Sequence, residues 1–199
     1  MIRVRDDDVL SITRFYNYET ALPRFKEVHK VIVEGGACHV AAVLCGEIHR
    51  FSGLSAFLRE QYENGTLIPE IHGWSHVDYT GMLSGEVERD LENCIKLIKT
   101  ATGYSPTKFY SPRGATSFEL IEVTNSLGLD LVDVSKTLYP KRAVFGGKGW
   151  ASNRAEVLAG RELFIHWWDD RWLNSETHSL ANTLRVIKEN DPGAFISEL

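Results

Sequence analysis

The chain has 199 residues, 43% of them hydrophobic and 25% charged, a globular balance that excludes disordered, collagen-like and coiled-coil classes. That length suits one domain, residues 1–199, able to bury about 70% of the surface its unfolded chain exposes. A net charge of −5 speaks against a nucleic-acid groove, which carries a basic excess, and no apolar run approaches the roughly 20 residues of a membrane helix.

Short apolar runs alternate with longer helical patterns. Residues 2–5 read as a first strand. Residues 20–34 place Ala21, Leu22, Phe25, Val28, Val31 and Ile32 at helical spacing and stop at Gly35-Gly36. Residues 38–44 are nearly all apolar, as in a strand buried on both faces. Ser52 or Ser55 would cap a helix running to Asn64-Gly65, and a third strand follows at 67–72. Ser84 opens a long helix that Gly103 ends. Its acids Glu86, Glu88 and Asp90 precede its bases Lys96 and Lys99, which suits the helix dipole.

A strand near 107–111, a helix at 117–127 ending at Gly128, and a strand at 129–134 come next. Residues 140–160 are the least regular stretch. A strand near 162–167, a helix at 177–190 and a strand at 194–197 close the order. The alternation predicts a parallel sheet with helices outside; a barrel and a doubly wound sheet both satisfy it.

The three cysteines, Cys38, Cys45 and Cys94, fit no zinc-knuckle spacing and read as buried free thiols of a reducing compartment. The start, Met1-Ile2-Arg3-Val4-Arg5, carries no signal-peptide features, so the expected location is the cytoplasm.

In parallel α/β folds, chemistry gathers at the carboxyl ends of strands. Those ends here carry Asp6-Asp7-Asp8, His72-Gly73-Trp74-Ser75-His76, Ser111-Pro112-Arg113-Gly114, the group Asp133, Ser135 and Lys136, and His166 followed by Asp169-Asp170. Three adjacent aspartates repel one another. They are either a solvated acidic turn or a pocket whose repulsion a cation resolves. His72 and His76, four apart, can share one face of a helical turn. Two histidines, a carboxylate and an open position make a catalytic rather than a structural zinc site.

These motifs, in this order, resemble the polysaccharide deacetylases, the nodulation-protein-B-like carbohydrate esterases of family four. Arg5-Asp6-Asp7-Asp8-Val9 stands where that family has Thr-Phe-Asp-Asp-Gly. His72-Gly73-Trp74-Ser75-His76 matches His-(Ser/Thr)-x-x-His, and Tyr110-Ser111-Pro112-Arg113-Gly114 partly matches Arg-x-Pro-x-Gly. Leu163-Phe164-Ile165-His166 matches a late strand ending in histidine. The resemblance implies a distorted (β/α) barrel, typically seven-stranded, holding one divalent metal and removing acetyl groups from N-acetylated sugars.

It further implies a base followed by a metal ligand in the first motif. Asp7 as base and Asp8 as ligand is the preferred register; Asp6 and Asp7 is the alternative. The metal set is then Asp8, His72 and His76, with Zn2+ expected and Co2+ or Ni2+ as alternatives. Asp7 would take a proton from the attacking water, and His166 would protonate the departing amine, oriented by Asp133 or Asp169. The oxyanion would lean on the metal and a backbone N–H near Tyr110. Tyr110, Pro112, Arg113, Trp74, Trp167 and Trp168 are the candidate substrate contacts; Trp172 also lies nearby in sequence, and large aromatics also simply pack.

Three departures stand out. Gly73 replaces Ser/Thr, Val9 replaces glycine, and Tyr110 replaces an arginine that normally pairs with the base, with Arg113 as a candidate replacement. The expected partner is a carbohydrate or small amide, not nucleic acid or membrane. The alternatives are cleavage of another linear or cyclic amide, or a non-catalytic carbohydrate-binding relic.

Overall fold

Alternation of apolar strands with amphipathic helices produces the expected layering. The computed structural model describes residues 2–11, 16–132, 163–168 and 180–190. In chain order the elements are β1 (Arg3–Val9), α1 (Tyr18–Glu34), β2 (Cys38–Val43), α2 (Leu54–Glu63), β3 (Leu67–Ile71), α3 (Ser84–Thr102), β4 (Lys108–Phe109), α4 (Phe118–Ser126), β5 (Asp130–Leu131), β6 (Leu163–His166) and α5 (Leu180–Asn190). The six strands form one parallel sheet in the order β5-β4-β3-β2-β1-β6. Over the described residues the sheet does not close. The expected strand at 194–197 and the irregular stretch at 140–160 lie outside them.

Local chemistry sets the boundaries. Asn17 caps α1: its side chain accepts from the backbone N–H of Glu19 and Thr20, and Thr20 answers the Asn17 N–H, a reciprocal cap worth about 1 kcal/mol. The predicted serine cap of α2 is corrected. That helix starts after Gly53, whose φ of +86° suits glycine, and no side chain caps it. Gly103, at φ +81°, ends α3 as expected.

All six residues of β2 are buried, as a central strand covered on both faces requires. On one face, Phe25, Ile32, Leu58, Leu91 and Ile98 from the helices meet Val4, Ala41, Val43 and Ile71 from the strands. Each large aliphatic or aromatic side chain buried this way contributes about 1.5–3 kcal/mol. The other face carries a smaller cluster of Val40, Ala42 and Tyr110. Cys38, Cys45 and Cys94 are buried free thiols. No helix among the described residues is long and apolar enough to cross a membrane.

Candidate metal and catalytic site

The first strand carries a bulge where the charges crowd. Asp6 pairs with Ala41 and Val9 with Val43, so β1 spends three steps where β2 spends two. Asp8 absorbs the extra residue at φ +57°, a left-handed conformation that aspartate tolerates better than most residues. The three carboxylates meet different partners: Asp6 the Trp167 N–H, Asp7 the Arg5 guanidinium, and Asp8 the histidines.

Asp8 faces the histidines. Its Oδ1 lies 3.2 Å from Nε2 of His72 and 3.1 Å from Nε2 of His76, and its Oδ2 lies 3.6 Å from Nε2 of His166. The donor atoms of Asp8, His72 and His76 all lie within 4.8 Å of one another. The two imidazoles do not converge through a helical turn, as their spacing suggested. His72 sits just past β3, Gly73 follows at φ +94°, and the chain to His76 is a loop.

That loop is tied down along its length. Cys45 N–H donates to the Gly73 carbonyl at 2.8 Å, and Gly46 N–H to that of Trp74 at 2.9 Å. Trp74 N–H donates to the Tyr79 hydroxyl at 2.9 Å, and that hydroxyl donates to Asp90. A Cβ on residue 73 would lie 2.5 Å from the Tyr79 oxygen. Glycine is required here, and Tyr79 anchors the loop where the motif lacks its hydroxyl.

The donor chemistry fits a divalent cation. The Tyr110 carbonyl can only accept, so His72 Nδ1 donates to it, at 2.6 Å. In a neutral imidazole this leaves Nε2 as a lone pair aimed at a carboxylate oxygen, two acceptors that need a cation or a proton between them. Without the cation the proton takes that place. Burial works to raise the Asp8 pKa, but the His72 hydrogen bond and the charges of His72, His76 and His166 hold it below its ordinary value. Burial works against the charged form of His72, but Asp7, the bond to Asp8 and the Tyr110 carbonyl raise its pKa above the ordinary value.

Asp6 and Asp7 point elsewhere. Asp7 is nearly buried and bracketed by Arg5: Nε lies 3.0 Å from Oδ1, and Nη2 donates to Oδ2 at 3.1 Å. Asp6 is fully buried, and its Oδ1 accepts the Trp167 backbone N–H at 2.7 Å. Its Oδ2 faces His39 Nε2 at 3.4 Å; the Nδ1 atoms of His39 and His29 lie 3.1 Å apart, and His29 Nε2 meets Gln61 Oε1 at 3.1 Å. Burial pushes Asp6 well above its usual range and His39 well below its own. Of the two registers, only Asp7–Asp8 puts a carboxylate against the histidine pair.

The other candidates divide. Trp74 is 39% exposed beside the histidines. Trp168 packs against His166 in a tilted arrangement, ring centroids 4.8 Å apart. Trp167 is corrected as a sugar platform: it is fully buried, packs on Tyr16, and its indole N–H donates to the Asp8 carbonyl at 2.8 Å. Tyr110 is buried with Pro112 close behind. Its own N–H is spent on the Ile71 carbonyl and is not open to an oxyanion. Arg113 is exposed at φ +60°, and its charge acts on Asp78. Asp133 and Asp169 lie outside the described residues. Arg5, Tyr79 and Asp90 did not emerge from sequence reasoning. The signal available for Arg5 was its i,i+2 spacing from Asp7, which puts both on one face of a strand.

No curated protein matches the chain significantly. Solved structures with the same fold include a CE4 family pseudoenzyme from Bacillus anthracis, with a TM-score of 0.63 and 12% identity, over 96% of this chain and 60% of that one. The present chain thus spans less than two thirds of that relative's length. A family 4 carbohydrate esterase from Streptomyces lividans, in complex with acetate, gives a TM-score of 0.59 and 13% identity over 95% and 87% of the two chains. Peptidoglycan deacetylase PdaC from Bacillus subtilis gives 0.57 and 15% over 95% and 82%. The profile describing polysaccharide deacetylases matches residues 32–132, about half of the sequence. With that match on the histidine loop, and a parallel α/β sheet carrying it, the chain belongs to the polysaccharide deacetylase family.

Proposed function

We propose that the protein is a metal-dependent hydrolase that removes acetyl groups from N-acetylated sugars, cutting a non-peptide C–N bond. The observation that carries this reading is one carboxylate, Asp8, shared between His72 and His76 on one oxygen and His166 on the other. Asp8, His72 and His76 hold a divalent ion, Zn2+ by the N/O character of the donors, with Co2+ or Ni2+ as substitutes. Bound there, the ion supplies Lewis acidity, lowering the pKa of a water toward about 7 and polarising the amide carbonyl.

The chain's own residues do the rest. Asp7, held by Arg5, takes the proton of the attacking water. His166, on the opposite side of Asp8, gives a proton to the departing amine nitrogen. Trp74 and Trp168 offer indole faces for the apolar side of a sugar ring, while Pro112 and Arg113 border the loop after β4. Residues 1–199 act as one catalytic domain, and the buried free thiols suit a reducing compartment such as the cytoplasm.

The test is acetate release from N-acetylglucosamine oligomers by zinc-loaded and chelated protein. Zinc-dependent release, falling about 10²-fold or more in His166→Ala, is the expected result. Release only from other linear or cyclic amides would move the substrate assignment. Sugar binding with no release under any divalent metal would mark a carbohydrate-binding relic.

A further inference from the structure

Asp7 is 7% exposed and Arg5 2% exposed. An ionised carboxylate removed from water needs a partner, and losing one member of such a pair leaves an uncompensated charge. Arg5 Nη2 donates to one oxygen of Asp7 and Nε lies 3.0 Å from the other, so a planar guanidinium faces both oxygens at once, which a point-charge ammonium cannot do. The guanidinium carbon in turn lies 4.8 Å over the centroid of the buried Tyr110 ring, a cation–π contact that strengthens away from water. Tyr110 also offers its carbonyl to His72. One residue at the end of β4 therefore braces both halves of the site, the histidine through its main chain and Arg5 through its ring.

We infer that Arg5 is the positioning residue for Asp7, and that a tyrosine stands at position 110 because the cation serving Asp7 enters from β1 rather than from β4. The inference rests on reading Asp7 as the proton acceptor. A guanidinium at position 110 in addition to Arg5 would set two cations against one carboxylate and remove the ring on which Arg5 lies. The two positions therefore trade: a guanidinium for Asp7, and a flat side chain to seat it.

The experiment compares wild type, Arg5→Met, Arg5→Lys and the double variant Arg5→Met/Tyr110→Arg, all zinc-loaded, with folding checked by circular dichroism. In Arg5→Met, kcat falls about a hundredfold or more while KM and zinc affinity stay near wild type. Arg5→Lys, which keeps charge and bulk should the methionine variant unfold, loses kcat as well. The double variant recovers a large part of the loss, because the guanidinium returns from the end of β4, across the ring contact that Arg5 and Tyr110 now make.

A second readout uses metal-free protein and no substrate. The Arg5 guanidinium Nη–H signal in 15N NMR is resolved and slow to exchange in wild type, where Nη2 donates to Asp7, and is lost in Asp7→Asn. An Arg5→Lys protein that folds, binds zinc and keeps full kcat overturns the inference. So does a double variant no better than Arg5→Met, or an Arg5 signal indifferent to Asp7→Asn. A wild type that turns nothing over sinks the functional reading alone, and the NMR comparison still decides the bracket.

Discussion

Replacing Gly73 tests whether the histidine loop is held as described. Its φ of +94° is outside the range that L-residues adopt cheaply, and forcing a side chain there costs about 1–3 kcal/mol. A Cβ would also meet the Tyr79 hydroxyl oxygen at 2.5 Å and its Cε2 at 2.8 Å. Tyr79 is 1% exposed and cannot swing into solvent without leaving a void. Displacing it breaks the bond from the Trp74 N–H and the bond to Asp90, leaving the buried Tyr79 hydroxyl unpaired for about another 1–3 kcal/mol. Gly73→Ala should therefore lose about 2–6 kcal/mol, a large share of the 5–15 kcal/mol typical of a whole domain.

Part of that loss should surface as weaker zinc binding, because His72 and His76 flank the strained residue. Urea unfolding of the metal-free protein and calorimetric zinc titration measure the two shares. Tyr79→Phe in the same background removes the nearest atom but not the backbone strain, so the effects of the two substitutions should be less than additive. A Gly73→Ala protein within about 0.5 kcal/mol of wild type, with unchanged zinc affinity, would refute the reasoning.

Two further predictions concern the aspartates. Asp6→Asn should keep zinc affinity, since its carbonyl oxygen can still accept the Trp167 N–H, whereas Asp8→Asn should lose affinity by more than the roughly 10–100-fold that outer-shell substitutions cost; zinc titration of both variants checks this, and the reverse order would restore the alternative register. The second is a pH dependence. Asp8 has its folded pKa depressed from 3.8, so its contribution is present above that value and lost as pH falls through the folded pKa. His72 has its folded pKa raised from 6.5, so its contribution is present below that value and lost as pH rises through the folded pKa. In chelator, the gap in urea midpoint between wild type and Asp8→Asn should be widest from pH 3.8 to 6.5 and shrink on both sides. A gap that grows above neutrality would contradict the pairing.

How much of this was legible in the sequence follows from which interactions are local. The unbroken apolar run of β2, the periodicity of α1 and the glycine ending α3 are written in consecutive residues, and they read correctly. Asp8, His72 and His76 were picked out because strand ends are where this fold gathers polar groups, and their donor atoms lie within 4.8 Å of one another. What escaped depends on contacts across the sheet. The bulge of β1 against β2, which turns Asp8 toward the histidines, is one such contact. Trp167 is turned inward by hydrogen bonds to β1, and position 73 is closed by a tyrosine from the next turn. Arg113, adjacent to its motif, was the natural stand-in for an absent arginine. The bracket on Asp7 comes instead from a residue on the same face of its own strand, which motif spacing does not encode.

The central claim is a cation between Asp8, His72 and His76. Anomalous diffraction at the zinc edge, on crystals grown with zinc, tests it directly. The account predicts one peak about 2.0–2.2 Å from an Asp8 carboxylate oxygen and from Nε2 of both histidines. A peak held instead by Asp6 and Asp7, or no peak among these three side chains, would contradict it.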